Sequence, residues 1–200
     1  CIVTILKFFD IGITRYSKLD INKNASYDIE FLLALPSSNV AQVLKYFRKS
    51  KSQIRQDLFV LSRLNFKRDG FFVEFGASDG IFFSNTYLLE KEFSWKGILA
   101  EPAKSYHKDL KINRNANIET RCVWKDSTST LTFNEINSTG LSTINEFSDS
   151  DKWKNERKFG KKYKVKTISL NKLLEDNKAP KHIDYLSIDT EGSEFEILSN

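Results

Sequence analysis

The chain has 200 residues, of which 40% are hydrophobic and 28% charged, with a net charge of +5. That suits one ordinary globular domain with a short addition and excludes a disordered tail. Eight glycines and two cysteines exclude a collagen and a disulfide scaffold, and no apolar run approaches the roughly 18–20 residues of a membrane helix. The longest candidate, residues 1–9, carries Lys7 and stops at Asp10.

In chain order, the sequence starts at Cys1 and holds no Met, so it is read as part of a longer product, with residues 2–9 as buried strand or helix. Residues 28–35 have helical spacing and end at Pro36. Residues 39–48 restart behind the Ser37-Ser38-Asn39 cap signal. Residues 53–64 put Ile54, Leu58, Leu61 and Leu64 on one helical stripe. Together, residues 1–69 read as an N-terminal helical appendage.

At Gly70 the pattern changes. Phe71-Phe72-Val73-Glu74-Phe75 is a short apolar run, as a fully buried parallel strand should be. A helix is expected over 84–93, a strand over 97–101 closed by Pro102, a helix over 103–114 and a third strand over 117–123. An inserted strand follows at 130–133, then a polar loop over 138–160 with one helix near 151–158. A strand over 163–168, a helix over 170–176 and a strand over 183–188 complete the pattern. This alternation predicts an α/β domain over 70–200 with a parallel sheet and crossover helices.

Cys1 and Cys122 are far apart, and no Cys-x-x-Cys or His/Cys cluster accompanies them. A structural zinc site is not expected, and a reducing, cytoplasmic home is. Lys158, Lys161, Lys162, Lys164 and Lys166 crowd nine residues. They read first as a solvated strand face with its lead-in loop, and second as a site for an anionic substrate. No aromatic-and-basic platform or zinc-finger pattern accompanies them, so a nucleic-acid partner is not favoured.

The strongest motif is Glu74-Phe75-Gly76-Ala77-Ser78-Asp79-Gly80, between a buried strand and a helix. Its spacing is Glu-x-Gly-x-x-x-Gly, not the Gly-x-Gly-x-x-Gly of a dinucleotide turn, where helix amides face a pyrophosphate. Glu74 and Asp79 would repel a diphosphate and suit a cationic, amine-bearing ligand such as S-adenosylmethionine. Glu101 ends the next strand, 25 positions after Gly76. There it can accept from both hydroxyls of a ribose, in charge-assisted bonds worth roughly 1.5–3 kcal/mol.

Four stretches resemble the FkbM family of methyltransferases. They are Phe72-Val73-Glu74-Phe75-Gly76-Ala77-Ser78-Asp79-Gly80, Ser84-Asn85-Thr86-Tyr87-Leu88-Leu89-Glu90-Lys91, Trp95-Lys96-Gly97-Ile98-Leu99-Ala100-Glu101-Pro102, and Ile183-Asp184-Tyr185-Leu186-Ser187-Ile188-Asp189-Thr190-Glu191-Gly192-Ser193-Glu194-Phe195-Glu196-Ile197-Leu198. The lead-in Ser52-Gln53-Ile54-Arg55-Gln56-Asp57 is similar to that family as well. The resemblance implies a Rossmann-like class I methyltransferase sheet and S-adenosylmethionine as cofactor. It also implies a hydroxyl acceptor on a sugar, polysaccharide precursor or natural product. By residue, it puts Glu74, Gly76, Ala77, Asp79 and Gly80 around the methionine and adenosyl parts, and Glu101 with Pro102 at the ribose. Asn85 and Thr86 reach the methionine carboxylate or simply cap the helix. Cys122 and Val123 present surface to the adenine, unless Cys122 is only a small buried hydrophobe, and Asp126 can accept from its amino group.

Asp189-Thr190-Glu191-Gly192 ends the last strand. Ligands of open α/β sheets sit beyond the carboxyl ends of the strands where strand order reverses, so Asp189 is expected in the same pocket as Gly76. A carboxylate touching the acceptor hydroxyl can take its proton, with Asp189 the first candidate and Glu191 the second. A divalent metal held by the pair is possible but not favoured, and Glu191 could instead cap the following helix. A seven-stranded class I sheet would need further strands after Asn200. The chain is therefore expected to be C-terminally truncated and weakly active or inactive alone. The alternative function is a non-catalytic module that keeps the fold without turnover.

Overall fold

The computed structural model describes residues 20–136, 140–150 and 152–199. The expectations for Cys1 and residues 2–9 lie outside them. Three helices come first: α1 (Asp20–Ala34), α2 (Ser37–Tyr46) and α3 (Gln56–Arg63). The α3 helix begins later than the apolar stripe predicts, because Arg55 adopts a left-handed conformation. Its guanidinium is drawn back to Asp28 at 2.8 and 3.0 Å. Ile54 therefore leaves the stripe and stands exposed, whereas Leu58 and Leu61 are fully buried.

The parallel sheet contains β1 (Phe71–Phe75), β2 (Lys96–Ala100), β3 (Asn117–Glu119) and, late in the chain, Tyr185–Ile188. The order is β3-β2-β1, with Tyr185–Ile188 against the free side of β1, all parallel. The chain thus builds outward from β1 on one side and returns to its other side, which makes the switch point that the motif spacing anticipates. Helices α4 (Tyr87–Phe93) and α5 (His107–Asn113) connect the first strands.

The expected strand over 117–123 is divided. Glu119 turns its carboxylate onto its own chain, accepting from the Arg121 amide at 2.8 Å and from the Arg121 guanidinium at 2.9 and 2.6 Å. A side chain has taken the amide that ladder pairing would use, and the strand stops. The next three residues, β4 (Cys122–Trp124), join a second sheet with β5 (Thr130–Glu135), β6 (Thr143–Ile144) and β7 (Lys161–Ser169). Its order is β4-β7-β5-β6, parallel only between β4 and β7. A short helix α6 (Lys154–Arg157) precedes β7, and α7 (Leu170–Asp176) follows it. The last strand, now β8, leads to α8 (Glu194–Leu198).

Side-chain alternation on the parallel sheet feeds two cores. Phe72 and Leu99 pack with Val43, Leu58 and Leu61 from α2 and α3 and with Leu88 and Leu89 of α4. Val73, Phe75, Ile98 and Ala100 pack on the opposite face with Leu173 of α7 and Ile197 of α8. A third cluster, including Trp124, Phe133, Ile144 and Val165, serves the second sheet. With helices on both faces of a parallel sheet, an antiparallel extension and leading helices, the architecture is the Rossmann-like class I methyltransferase type. On β7, Lys162, Lys164 and Lys166 lie on one exposed face while Val165 and Thr167 are buried, the solvated strand face that their period-two spacing dictates.

Candidate active site

A cavity of about 350 Å³ opens at the carboxyl ends of β1, β2 and β8. From β1 it receives Glu74, Phe75 and Gly76, from the end of β2 Ala100, Glu101 and Pro102, and from β4 Cys122 and Val123. Asn85 and the Asp189-Thr190-Glu191 segment complete its inner wall.

The glycine turn is shaped by contact with β8. Gly76 has φ +78, and a β-carbon there would lie 2.1 Å from the Asp189 carbonyl oxygen. The turn then sends the Ser78 amide to Glu101 Oε2 at 2.7 Å. Glu101 Oε1 accepts the Ala103 amide at 2.8 Å. Each oxygen so held keeps a second lone pair, and the carboxylate lines the cavity. Burial pushes this carboxyl up to about 7, against the pull of its two amide donors. His107 donates from Nε2 to the Glu101 carbonyl at 2.8 Å, since a carbonyl can only accept.

Glu74 is held by its neighbours on nearly every side. It accepts from Thr86 Oγ1 at 2.5 Å, from the Asn85 amide at 2.7 Å and from Ser84 Oγ at 3.1 Å. Burial raises its pKa, opposed chiefly by Arg114. The Arg114 guanidinium, itself buried, reaches Glu90 at 2.9 Å and Glu74 at 3.8 Å. It also donates to the Gly80 carbonyl, Ser84 Oγ and Thr86 Oγ1. At Glu90 burial works upward, but Arg114 and the Asn115 amide outweigh it and hold the carboxyl below its usual range. Arg114 thus locks the glycine turn to the helix that follows it. Nothing in its position as the last residue of an expected helix signals that role.

Of the residues named from sequence, Ala77, Asp79, Gly80 and Thr86 do not line the cavity. Ala77 is buried in the core on the helical side. Asp79 Oδ1 accepts the amides of Ile81 and Phe82, both at 2.8 Å, and so shapes the turn itself. Gly80 faces Arg114 and Leu110. Thr86 serves Glu74, and the α4 cap is made by Ser84, whose Oγ accepts the Thr86 and Tyr87 amides at 3.3 and 3.1 Å. Asp126 accepts from the Ser129 hydroxyl and from the amides of Thr128 and Ser129, which together lower it to about 2, and it lies away from the cavity. The Cys122 thiol is pushed up to about 12 by burial, with Glu101 adding to the effect, which leaves it inert at neutral pH.

Asn85 is 9% exposed. Its Nδ2 donates to Ser187 Oγ at 2.9 Å, while its buried Oδ1 has no hydrogen-bond partner. The Asp189 carboxylate has no hydrogen bond among the described residues. It opens to solvent through the mouth, but surrounding protein raises its pKa and Glu194 adds to the shift. Glu191 does not cap α8. Glu194 instead accepts the Thr190 and Gly192 amides, and Glu191 accepts from the buried Arg157 guanidinium at 2.8 Å. Arg157 also donates to the Leu141 carbonyl at 2.8 Å, so one buried cation fastens two cavity walls.

Sequence reasoning missed Arg114, Arg157 and the residues at the mouth: Gln53, Gln56, Phe82, Phe83, Tyr106, Lys152 and Trp153. The adjacent aromatic pair Phe82-Phe83, directly behind a glycine turn, was the one visible signal for that mouth. Among the described residues no three His, Cys, Asp or Glu side chains converge as a metal would require. None of their helices is long and apolar enough to cross a membrane.

The inner wall is therefore rich in acceptors, with Glu101, Asp189 and Asn85 lining one hollow. A ligand with several donors and positive charge fits such a wall, and S-adenosylmethionine has an ammonium, a sulfonium and two ribose hydroxyls. No curated protein and no solved structure matches the chain. The family model described as the methyltransferase FkbM domain matches residues 74–200, the span from the glycine turn through the cavity to β8 and α8, and the chain belongs to that methyltransferase family.

Proposed function

We propose that the cavity binds S-adenosylmethionine and that the protein methylates a hydroxyl oxygen of a sugar, polysaccharide precursor or natural product. The observation that carries this is the placing of Glu101, Asp189 and Asn85 around one cavity, with Asn85 Oδ1 left without a donor. A buried acceptor without a donor costs about 1–3 kcal/mol, a cost that a donor on the ligand removes.

Glu101 accepts from the ribose hydroxyls through its free lone pairs, and its two backbone bonds keep it oriented. Asn85 accepts from the ammonium. Its Nδ2 gives one N–H to Ser187 Oγ and keeps a second, which suits the methionine carboxylate. Cys122 and Val123 give the adenine an apolar face. Bound in this way, the cofactor supplies an electrophilic methyl carbon on a sulfonium leaving group.

Asp189 is the base. It has no competing hydrogen bond, and its raised pKa favours holding the hydroxyl proton once transferred. Glu191 is less free, because Arg157 neutralises and fixes it. Its part is to shape the wall where the acceptor hydroxyl enters. Positioning supplies much of the remaining acceleration.

Calorimetric titration of the purified protein with S-adenosylmethionine tests the cofactor half. Micromolar binding is expected, weakened about tenfold in Asn85→Leu, the loss of one buried hydrogen bond to a charged group. A folded protein that releases no heat on titration would overturn it. For the catalytic half, Asp189→Asn should keep cofactor binding within about threefold and lower methyl transfer by at least about 100-fold. Retained turnover would remove Asp189 as the base.

A further inference from the structure

The mouth of the cavity carries aromatic rings that the core does not use. Phe82 and Phe83 are 41% and 46% exposed, their ring centroids lie 3.9 Å apart, and both line the cavity. Phe83 sits at φ +55, a costly conformation for a bulky residue. A backbone bridge between Ser52 and Phe83 holds that segment beside Gln53 and Gln56, which line the same space. Trp153 also lines it, with the Lys152 ammonium 4.9 Å from its ring centroid. Strained backbone that presents rings to solvent at a cavity rim suits a ligand surface better than a packing surface. Flat apolar rings beside amide side chains match the two faces of a hydroxylated ring, its C–H surface and its hydroxyl edge.

Charge selects further. Glu101 and Asp189 line the cavity, Glu74 and Glu191 line it with Arg114 and Arg157 beside them, and Lys152 is the single Lys or Arg among its described lining residues. We infer that the acceptor is a hydroxylated ring bearing a carboxylate, in chemical class a uronic acid, whose charge pairs with Lys152 at the mouth. This rests on the methyltransferase reading above. The acidic inner wall repels the carboxylate and Lys152 attracts it, so the ring enters with a hydroxyl leading toward Asp189. In the transfer, the hydroxyl oxygen gains the methyl carbon, the methyl–sulfur bond breaks and the hydroxyl proton passes to Asp189, while the acceptor's carboxylate is unchanged. The anionic preference therefore belongs to Lys152 and not to the lysines of β7, whose exposed face lies outside the cavity.

The test is calorimetric binding of glucuronate, glucose and 4-hydroxybenzoate, with and without S-adenosylhomocysteine. Glucuronate should bind about fivefold more tightly than glucose, the ratio expected of one partly solvated ion pair. Lys152→Glu should erase that preference, Lys164→Glu should leave it intact, and Phe83→Ala should weaken both sugars alike. Equal binding of the two sugars, or a preference that survives Lys152→Glu, overturns the inference. If 4-hydroxybenzoate equals glucuronate, the anionic-ring site stands and the source shifts to aromatic acids. Titration of the same samples with S-adenosylmethionine separates the two claims. Cofactor binding without glucuronate preference sinks only the subsite, and glucuronate preference without cofactor binding sinks only the methyltransferase reading.

Discussion

The carbonyl oxygen of Asp189 occupies the space that a side chain on Gly76 would need, 2.1 Å from where its β-carbon would stand. The end of β8 is thereby pressed against the glycine turn, and the proposed base and the proposed cofactor turn become one structural unit.

Gly76→Ala should be severely disruptive. The residue would have to hold φ +78, at about 1–3 kcal/mol of backbone strain, and would also drive β8 away from β1. Thermal unfolding should show a fall in Tm of at least about 5 °C, with cofactor binding lost. A Tm within about 1 °C of the parent would contradict this contact.

Cofactor affinity should depend on pH through Glu101. Folding raises its carboxyl from 4.5 to about 7, so across that window the folded chain binds more protons than the unfolded one. Stability from this group is present below the unfolded value and is lost as pH rises through about 7. A ligand that donates to the carboxylate prefers the ionised form. Its affinity should therefore climb up to tenfold per pH unit below about 7 and level off above. Glu101→Gln should flatten that profile, and an unchanged slope in the variant would assign the titration elsewhere.

Arg114→Met should cost about 3–5 kcal/mol, because it strands the buried carboxylates of Glu74 and Glu90 without their cation. Denaturant unfolding measures the loss. Adding Glu74→Gln should recover part of it by removing one stranded charge. If the double variant is no more stable than the single, the repulsion account is wrong.

Arg157→Met should loosen the two cavity walls that Arg157 ties together through Leu141 and Glu191. Amides of residues 140–144 and 190–193 should exchange faster with solvent, while those of β1 and β2 keep their protection. Arg157→Lys should restore the ion pair but not the fork to the Leu141 carbonyl, giving an intermediate rate. Unchanged exchange at both segments would count against this strap.

Apolar runs and glycine punctuation made the parallel strands legible, because burial on both faces demands such runs whatever the rest of the chain does. The Glu74 to Gly80 turn and the Asp189 to Glu191 segment could be paired in advance for the same reason. Parallel strands put their carboxyl ends on one edge, so motifs closing strands must meet there. Which side chains face the ligand was not legible. Asp79 was spent on its own turn, Thr86 on Glu74 and Glu191 on Arg157, and each of those partners depends on distances that sequence spacing does not contain. The break between β3 and β4 came from one Glu119–Arg121 contact, and the cavity mouth was assembled from segments separated by about 100 residues. The sequence by itself determined the buried first strands, the glycine turn and the family resemblance, since these are carried by local pattern. Only the tertiary structure decided which carboxylates stay free to react, because a charged group's availability depends on every neighbour that packing brings to it.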